Sequence, residues 1–331
     1  MATFTHQLIQ HAWHKKNLLF YAALVPLSWL FGGLVAARRG LYKCAILKSY
    51  ALPVPVIVVG NVSMGGTGKT PVVMWLVQEL KQRGYKPGVI SRGYGANVTA
   101  PISVNANSQA SDVGDEPLLI FKRCNCPVFV GKNRVAAGEA LLKAHAECNV
   151  IISDDGLQHY ALKRDMEIAV VSGDALQGAY LLPAGPMREP FSRLSEVDAI
   201  VFNGKKTLDS AFEMQLVGAQ FYNLLDPNLK ASAVDFAGKN IKAIAGIGKP
   251  ERFFEHLRNL GLNFAGMGFA DHHEFIAQDL EKLQCDALLM TEKDAVKCQA
   301  FAQAHYWVLP VEANIDEGLL DVVLQKIARK R

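Results

Sequence analysis

Lys69 and Thr70 close the stretch VIVVGNVSMGGTGKT, residues 56–70. A lysine after a glycine-rich run, with a hydroxyl next to it, is the residue set that binds a polyphosphate. Ser63, Met64, Gly65, Gly66, Thr67 and Gly68 form the loop, and its glycines let the backbone turn its N–H groups inward onto phosphate oxygens. The Lys69 ammonium is placed to follow the β- and γ-phosphates, which makes it a catalytic candidate, and the Thr70 hydroxyl suits Mg²⁺. ATP and Mg²⁺ are therefore the expected cofactors. The pattern G-x-x-x-x-G-K-[ST] usually opens on glycine, whereas Ser63 holds that position here and Gly60 lies three residues earlier.

Three further polar groups have types that suit phosphoryl transfer. Asp154 and Asp155 follow the apolar run NVIIS, and a carboxylate after such a strand lies near the metal of a P-loop site. Which of the two faces the metal stays open. Asp112-Val113-Gly114-Asp115-Glu116-Pro117 reads as an acidic loop, and Asp115 or Glu116 supplies a carboxylate to accept the proton of an attacking hydroxyl. Asp271-His272-His273 offers an imidazole to orient such a carboxylate. Two adjacent histidines without a spaced third ligand make a poor metal motif. Arg92, Arg134, Arg188 and Arg193 are candidate contacts to phosphate or a head group.

The elements that must position these groups follow from the apolar pattern. Residues 56–59 read as a buried strand and residues 71–80 as the helix after the loop. Short apolar runs at 87–91, 127–130, 149–153, 167–172 and 197–203 alternate with helical patterns, such as 134–145. That alternation predicts an α/β fold with a doubly wound parallel sheet, and ligands then gather at the carboxyl ends of its strands. A smaller α/β unit is expected from about residue 236, with strands at 241–245, 264–269, 287–290 and 307–311 and helices at 250–260 and 317–328. Residues 18–37 carry no charge, follow Lys15 and Lys16, and precede Arg38, Arg39, Lys43 and Lys48. This stretch is expected to lie in a membrane interface or to span the bilayer once, with the P-loop inside. The expected division is 1–50 for the membrane-associated segment, 51–235 for the P-loop core and 236–331 for the smaller domain.

Composition agrees with a globular chain. Of 331 residues, half are hydrophobic and 20% charged, and the net charge of +4 suits anionic ligands or an anionic surface without calling for nucleic acid. The six cysteines have no zinc or redox spacing and are expected to be reduced thiols in a cytoplasmic protein.

The motifs GNVSMGGTGKTP, SRGYG, GDEP, DDGLQH, LPAGPMREP, AGIGKPERFF, DHHEF and TEKDAVK appear in that order across nearly the whole chain. In this the sequence resembles the tetraacyldisaccharide 4′-kinases, the lipid A 4′-kinases of Gram-negative bacteria, whose P-loop also carries serine at the position of Ser63. The resemblance implies transfer of the ATP γ-phosphate to the 4′-hydroxyl of an acylated glucosamine disaccharide 1-phosphate, forming lipid IVA. It implies Mg²⁺ and a location on the cytoplasmic face of the inner membrane, peripheral or with a single N-terminal anchor. By motif, Asp115 stands at the place of the catalytic base and His272 at that of its partner. Asp154 and Asp155 stand at the metal and phosphate carboxylates, with Glu116 as a contributor. A P-loop ATPase that drives a partner would use the same Lys69, Thr70 and Asp154, and would hydrolyse ATP without a lipid acceptor.

Overall fold

The computed structural model describes residues 18–94, 98–173 and 180–328, with backbone alone for 18–22. Lys15, Lys16 and Gly95 lie outside the described residues. The chain forms two compact units: residues 1–69, 152–214 and 315–331 make the first, and residues 70–151 and 215–314 the second.

In the first unit, strands Val56–Gly60, Met166–Ser172, Ala199–Asn203 and Phe212–Val217 pair in that order, all in parallel. Val56 to Val59 have no exposed surface. A run apolar on every residue, without alternation, is the signature of a strand covered on both faces. The P-loop thus leaves the carboxyl end of a fully buried strand, as expected. The helix after the loop spans Lys69–Gln82 and starts two residues before the expected 71. Pro71 does not stop it, because a first-turn N–H has no partner within the helix.

The amino-terminal helix is Leu18–Lys43, longer than the uncharged stretch because Arg38, Arg39 and Lys43 continue it. Among the described residues no helix is long and apolar enough to cross a membrane. The helix is tied down by Ser28, whose hydroxyl donates to Leu181 O at 2.8 Å and accepts from Ala184 N at 3.0 Å. At its basic end Arg39 and Lys43 meet Glu196 at 2.6 and 2.9 Å. Leu27, Trp29, Leu30 and Leu34 stay exposed, Trp29 at 72%.

In the second unit, Pro87–Ser91 and Val128–Val130 pair in parallel, and the short strand Ile102–Ser103 adds antiparallel to the latter. A six-stranded sheet carries the rest. Its central and far strands are Tyr306–Leu309, Ala287–Thr291, Ile241–Ala245 and Ala265–Gly268, all parallel. Successive residues of Ala287–Thr291 enter opposite cores: Ala287 and Leu289 join Phe236, Phe253 and Leu257, whereas Leu288 and Met290 join Phe275, Leu280 and Val308. The antiparallel edge formed by Phe221–Asn223 and Lys230–Ala231 was not among the expected strands. Three and two residues are too few to show a period. All six cysteines are free thiols, as expected.

Gly60 ends the P-loop strand where Leu157 crosses it. An added Cβ would lie 2.5 Å from Leu157 Cβ and 2.9 Å from its backbone nitrogen. Gly60→Ala is expected to cost about 1–3 kcal/mol through overpacking. Gly33→Ala, on a helix position with nothing within 4 Å of a new Cβ, is the control and should be neutral or stabilising by about 0.5–1 kcal/mol. Urea midpoints of the two variants check this.

Candidate active site

The P-loop is shaped by two positive dihedrals, Gly65 at φ 105° and Gly68 at φ 95°. Its base is pinned by Asn61, which has no exposed surface. The Asn61 amide donates to Ser63 Oγ at 3.0 Å and Thr67 Oγ1 at 3.1 Å, and its carbonyl accepts from Ser63 N at 3.1 Å. This explains serine at the first motif position: its hydroxyl is a partner of the clamp that a glycine lacks. Asn203, at the end of its strand, donates to Thr67 O at 3.0 Å. Met64 N donates to Pro186 O at 2.8 Å, and Arg188 N and Glu189 N donate to Val62 O at 2.7 and 3.1 Å. The loop is therefore held from both sides, while Gly65 and Gly66 at its tip stay exposed.

Asp154 ends its strand with no exposed surface, and Asp155 follows with a left-handed φ of 46°. The turn directs the Asp155 carboxylate at two cations. Lys69 Nζ lies 3.5 Å from Asp155 Oδ1, and Arg188 Nη1 reaches both oxygens at 3.1 and 3.0 Å. Of the four arginines singled out in sequence, Arg188 is thus the one that shares the Asp155 carboxylate with Lys69. Arg193 is buried on Glu167 and Glu189. Arg134 is buried and donates to Gly131 O at 2.7 Å. Arg92 is exposed.

Behind the loop, Glu189 is buried and accepts from Tyr160 Oη at 2.6 Å and Gln158 Nε2 at 2.8 Å. Burial and the Glu189 hydrogen bond push the Tyr160 phenol well above its ordinary range, so it stays a donor. Neither Asn61, Asn203 nor Glu189 was singled out in sequence. For Asn61, Glu189 and Gln158 alike the signal was a place in the motifs GNVSMGGTGKTP, LPAGPMREP and DDGLQH.

In the second unit, Asp115 and Glu116 do not sit in a loop as the sequence suggested. They are the first residues of the helix Asp115–Cys124, entered through Gly114 at φ 90°. Pro117 falls in the first turn, where a missing N–H costs nothing. The helix start places Asp115 at the positive end of the peptide dipoles, and Glu116 N donates to Asp115 Oδ1 at 2.9 Å. Asp115 is 5% exposed.

His272 reaches it from the loop after strand Ala265–Gly268, with its own backbone in a left-handed turn at φ 59°. Its Nδ1 lies 3.1 Å from Asp115 Oδ1 and 3.0 Å from Oδ2. Tyr94 packs on the imidazole with ring centroids 4.9 Å apart. His273 faces away, against Phe269 and Phe275, with Nε2 3.3 Å from Asp279 Oδ2. The structure therefore pairs His272, not His273, with Asp115.

Lys293 completes the group: its Nζ lies 3.1 Å from Glu116 Oε1, 3.2 Å from Asp271 Oδ1 and 3.9 Å from Asp115 Oδ2. Burial raises the Asp115 pKa, but the His272 hydrogen bond and the Lys293 charge outweigh it and hold the carboxyl below its ordinary range. For His272, burial lowers the pKa, and the Asp115 hydrogen bond together with the Asp115 and Asp271 charges more than reverses this. A desolvated carboxylate kept ionised beside an imidazole can accept a proton from a hydroxyl.

No described group of three or more histidine, cysteine, aspartate or glutamate side chains forms a metal cluster. Mg²⁺ does not need one, since it takes one or two carboxylates and completes its shell with water and phosphate oxygens. The Thr70 hydroxyl and the Asp154 and Asp155 carboxylates are each the oxygen ligand type that this hard cation takes.

The family model "LpxK: Tetraacyldisaccharide-1-P 4'-kinase" matches residues 20–328. A tetraacyldisaccharide 4′-kinase of Methylobacillus flagellatus is 48% identical over 307 residues, 92% of each chain. One of Haemophilus influenzae is 48% identical over 310 residues, again 92% of each. Among solved structures, LpxK from Aquifex aeolicus, crystallised in complex with ATP, superposes with a TM-score of 0.79 at 28% identity, covering 93% of this chain and 99% of its own. With the P-loop and the Asp115–His272 pair set in this fold, the chain belongs to the tetraacyldisaccharide-1-phosphate 4′-kinase family.

Proposed function

We propose that this chain transfers the γ-phosphate of ATP to the 4′-hydroxyl of tetraacyldisaccharide 1-phosphate, in lipid A synthesis on the cytoplasmic face of the inner membrane. The observation that carries the reading is the family match over residues 20–328, with relatives of that name at 48% identity. The P-loop amides hold the phosphates and Lys69 follows the transferring group. The bond from the γ-phosphorus to the bridging oxygen of ADP breaks as the bond to the sugar oxygen forms. Asp115 accepts the sugar proton, and His272 holds the carboxylate in line and shares its charge. Thr70, Asp154 and Asp155 are the residues that would hold Mg²⁺, which when bound neutralises charge on the phosphate oxygens. Asp155 engages Lys69 and Arg188, and both it and Asp154 are candidates for the metal carboxylate. Glu116 is spoken for by Lys293 and is the weaker ligand candidate.

Membrane association is the second part of the reading. Leu27, Trp29, Leu30 and Leu34 form an exposed apolar face on a helix that is 26 residues long. Such a face suits a helix lying in the headgroup region, beside basic residues that meet anionic lipid.

The direct test is [γ-³²P]ATP turnover with and without the acylated disaccharide in detergent. Label should pass to lipid only when the acceptor is present. Lys69→Ala, with fold checked by circular dichroism, should cut the transfer rate about 10²–10³-fold. Acceptor-independent release of phosphate at the same rate would favour the ATPase alternative. The pKa shifts make a separate prediction. The His272 pKa is raised above 6.5, so the attraction to Asp115 contributes stability that is full below that value and fades as pH rises through the folded value. The Asp115 pKa is lowered, so its own contribution fades only in acid. Asp115→Asn should therefore lower Tm more at about pH 6 than at about pH 9. A shift equal at both would mean the pair carries no proton-linked energy. For the membrane, replacing Leu27, Trp29, Leu30 and Leu34 together by serine should release the protein from vesicles containing anionic lipid in a flotation assay, while its ATP affinity stays within about twofold.

A further inference from the structure

The motif TEKDAVK divides into residues with a structural partner nearby and one without such an explanation. Thr291 caps the helix Glu292–Cys298, its Oγ1 accepting from Asp294 N at 3.2 Å. Glu292 meets Arg123 at 2.8 Å. Asp294 accepts from Gly246 N at 3.0 Å and pairs with Lys297 at 2.8 Å. These four interactions lock the helix start against its own unit. Lys293 is different, because a cation in the first turn opposes the helix dipole. That cost is offset only by what its ammonium meets: Glu116, Asp271 and, at 3.4 Å, His272 Nε2.

The last contact fixes a tautomer. An ammonium has donors and no acceptor, and the carboxylates around it push its pKa up despite burial, so it stays charged. In the neutral ring, Nε2 of His272 then presents its lone pair to Lys293. The ring proton of the neutral imidazole is left on Nδ1, where it faces both oxygens of Asp115. The same ammonium ties Glu116, next to Asp115 on one helix, to Asp271, next to His272 on a separate loop. Without it three carboxylates would face one another around the imidazole with no lysine between them.

We infer that Lys293 is a positioning residue of the Asp115–His272 pair, which orients the imidazole through Nε2 and joins the two segments that carry the pair. This rests on the reading of Asp115 as the base. Lys293 acts through the pair and not on ATP, so its loss falls on kcat and leaves the KM for ATP alone.

The test compares Lys293→Met and Lys293→Arg, each alone and combined with His272→Ala, alongside Asp115→Ala. Lys293→Met removes the charge at similar length and should lower kcat on the order of 10–10²-fold, as loss of an outer-shell orienting partner does. The KM for ATP should stay within about twofold. Lys293→Arg keeps the charge and its donors and should recover most of the rate. In the His272→Ala background Lys293→Met should cost little more, because residues that act as a unit are not additive. If Lys293→Met does not fold, the double variant with Asp271→Asn, which removes one facing carboxylate, replaces it in the same comparison. A folded variant with wild-type kcat would overturn the inference alone, provided Asp115→Ala and His272→Ala are impaired. An equal loss with and without His272 would overturn it too, since a purely structural lysine behaves that way. Wild-type kcat in Asp115→Ala would remove the base reading, and the inference with it.

Discussion

A carboxylate that is 5% exposed stays ionised only if its surroundings replace the water it has lost. Asp115 meets this constraint, and much of the second unit is arranged to satisfy it. The helix Asp115–Cys124 offers its amino terminus, with the Glu116 amide at 2.9 Å. The loop after strand Ala265–Gly268 delivers His272 in a left-handed turn, and the first turn of helix Glu292–Cys298 delivers Lys293. Each helps to hold the carboxylate charged, and together they outweigh its burial. The result is a buried carboxylate held ionised by groups on three separate segments, packed on a sheet with two cores.

The first unit solves a different problem with similar means. A loop that must wrap anionic oxygens cannot rely on glycines alone, since flexible backbone loses entropy when it orders. Asn61 and Asn203 supply side-chain amides that fix the loop at its base, and the 186–189 segment straps it through backbone bonds. Asp155 then gathers Lys69 and Arg188 on one carboxylate, which keeps two cations together beside the P-loop. Preorganisation of this kind lets charge be met without rearrangement at the moment of transfer.

Much of this was legible in the sequence, for identifiable reasons. The P-loop and the strands at 56–59, 87–91, 241–245 and 287–290 announce themselves by local pattern. Asp115 and His272 were named from motif resemblance, and the structure brings exactly one of the two adjacent histidines to Asp115 because His273 is drawn into an aromatic cluster with Phe269 and Phe275. What could not be read were groups defined by their hydrogen-bond and ion-pair partners. Asn61 and Asn203 carry no local signature of a clamp, and Arg193 looked like a head-group contact until its acidic partners were in place. The helix start at Asp115 was hidden by Pro117, which reads as a breaker unless its position in the first turn is known.

The central claim is that Asp115 and His272 act together as the base for a sugar hydroxyl. Transfer rates to the acylated disaccharide for Asp115→Ala, His272→Ala and the double variant test it most directly, with His273→Ala as control. General-base assistance is worth roughly 10²–10⁴ in rate, so each single change should fall in that range and the double should lose little more than the worse single. His273→Ala should stay close to wild type. Multiplicative losses in the double variant, or a transfer rate in Asp115→Ala close to wild type, would contradict the account.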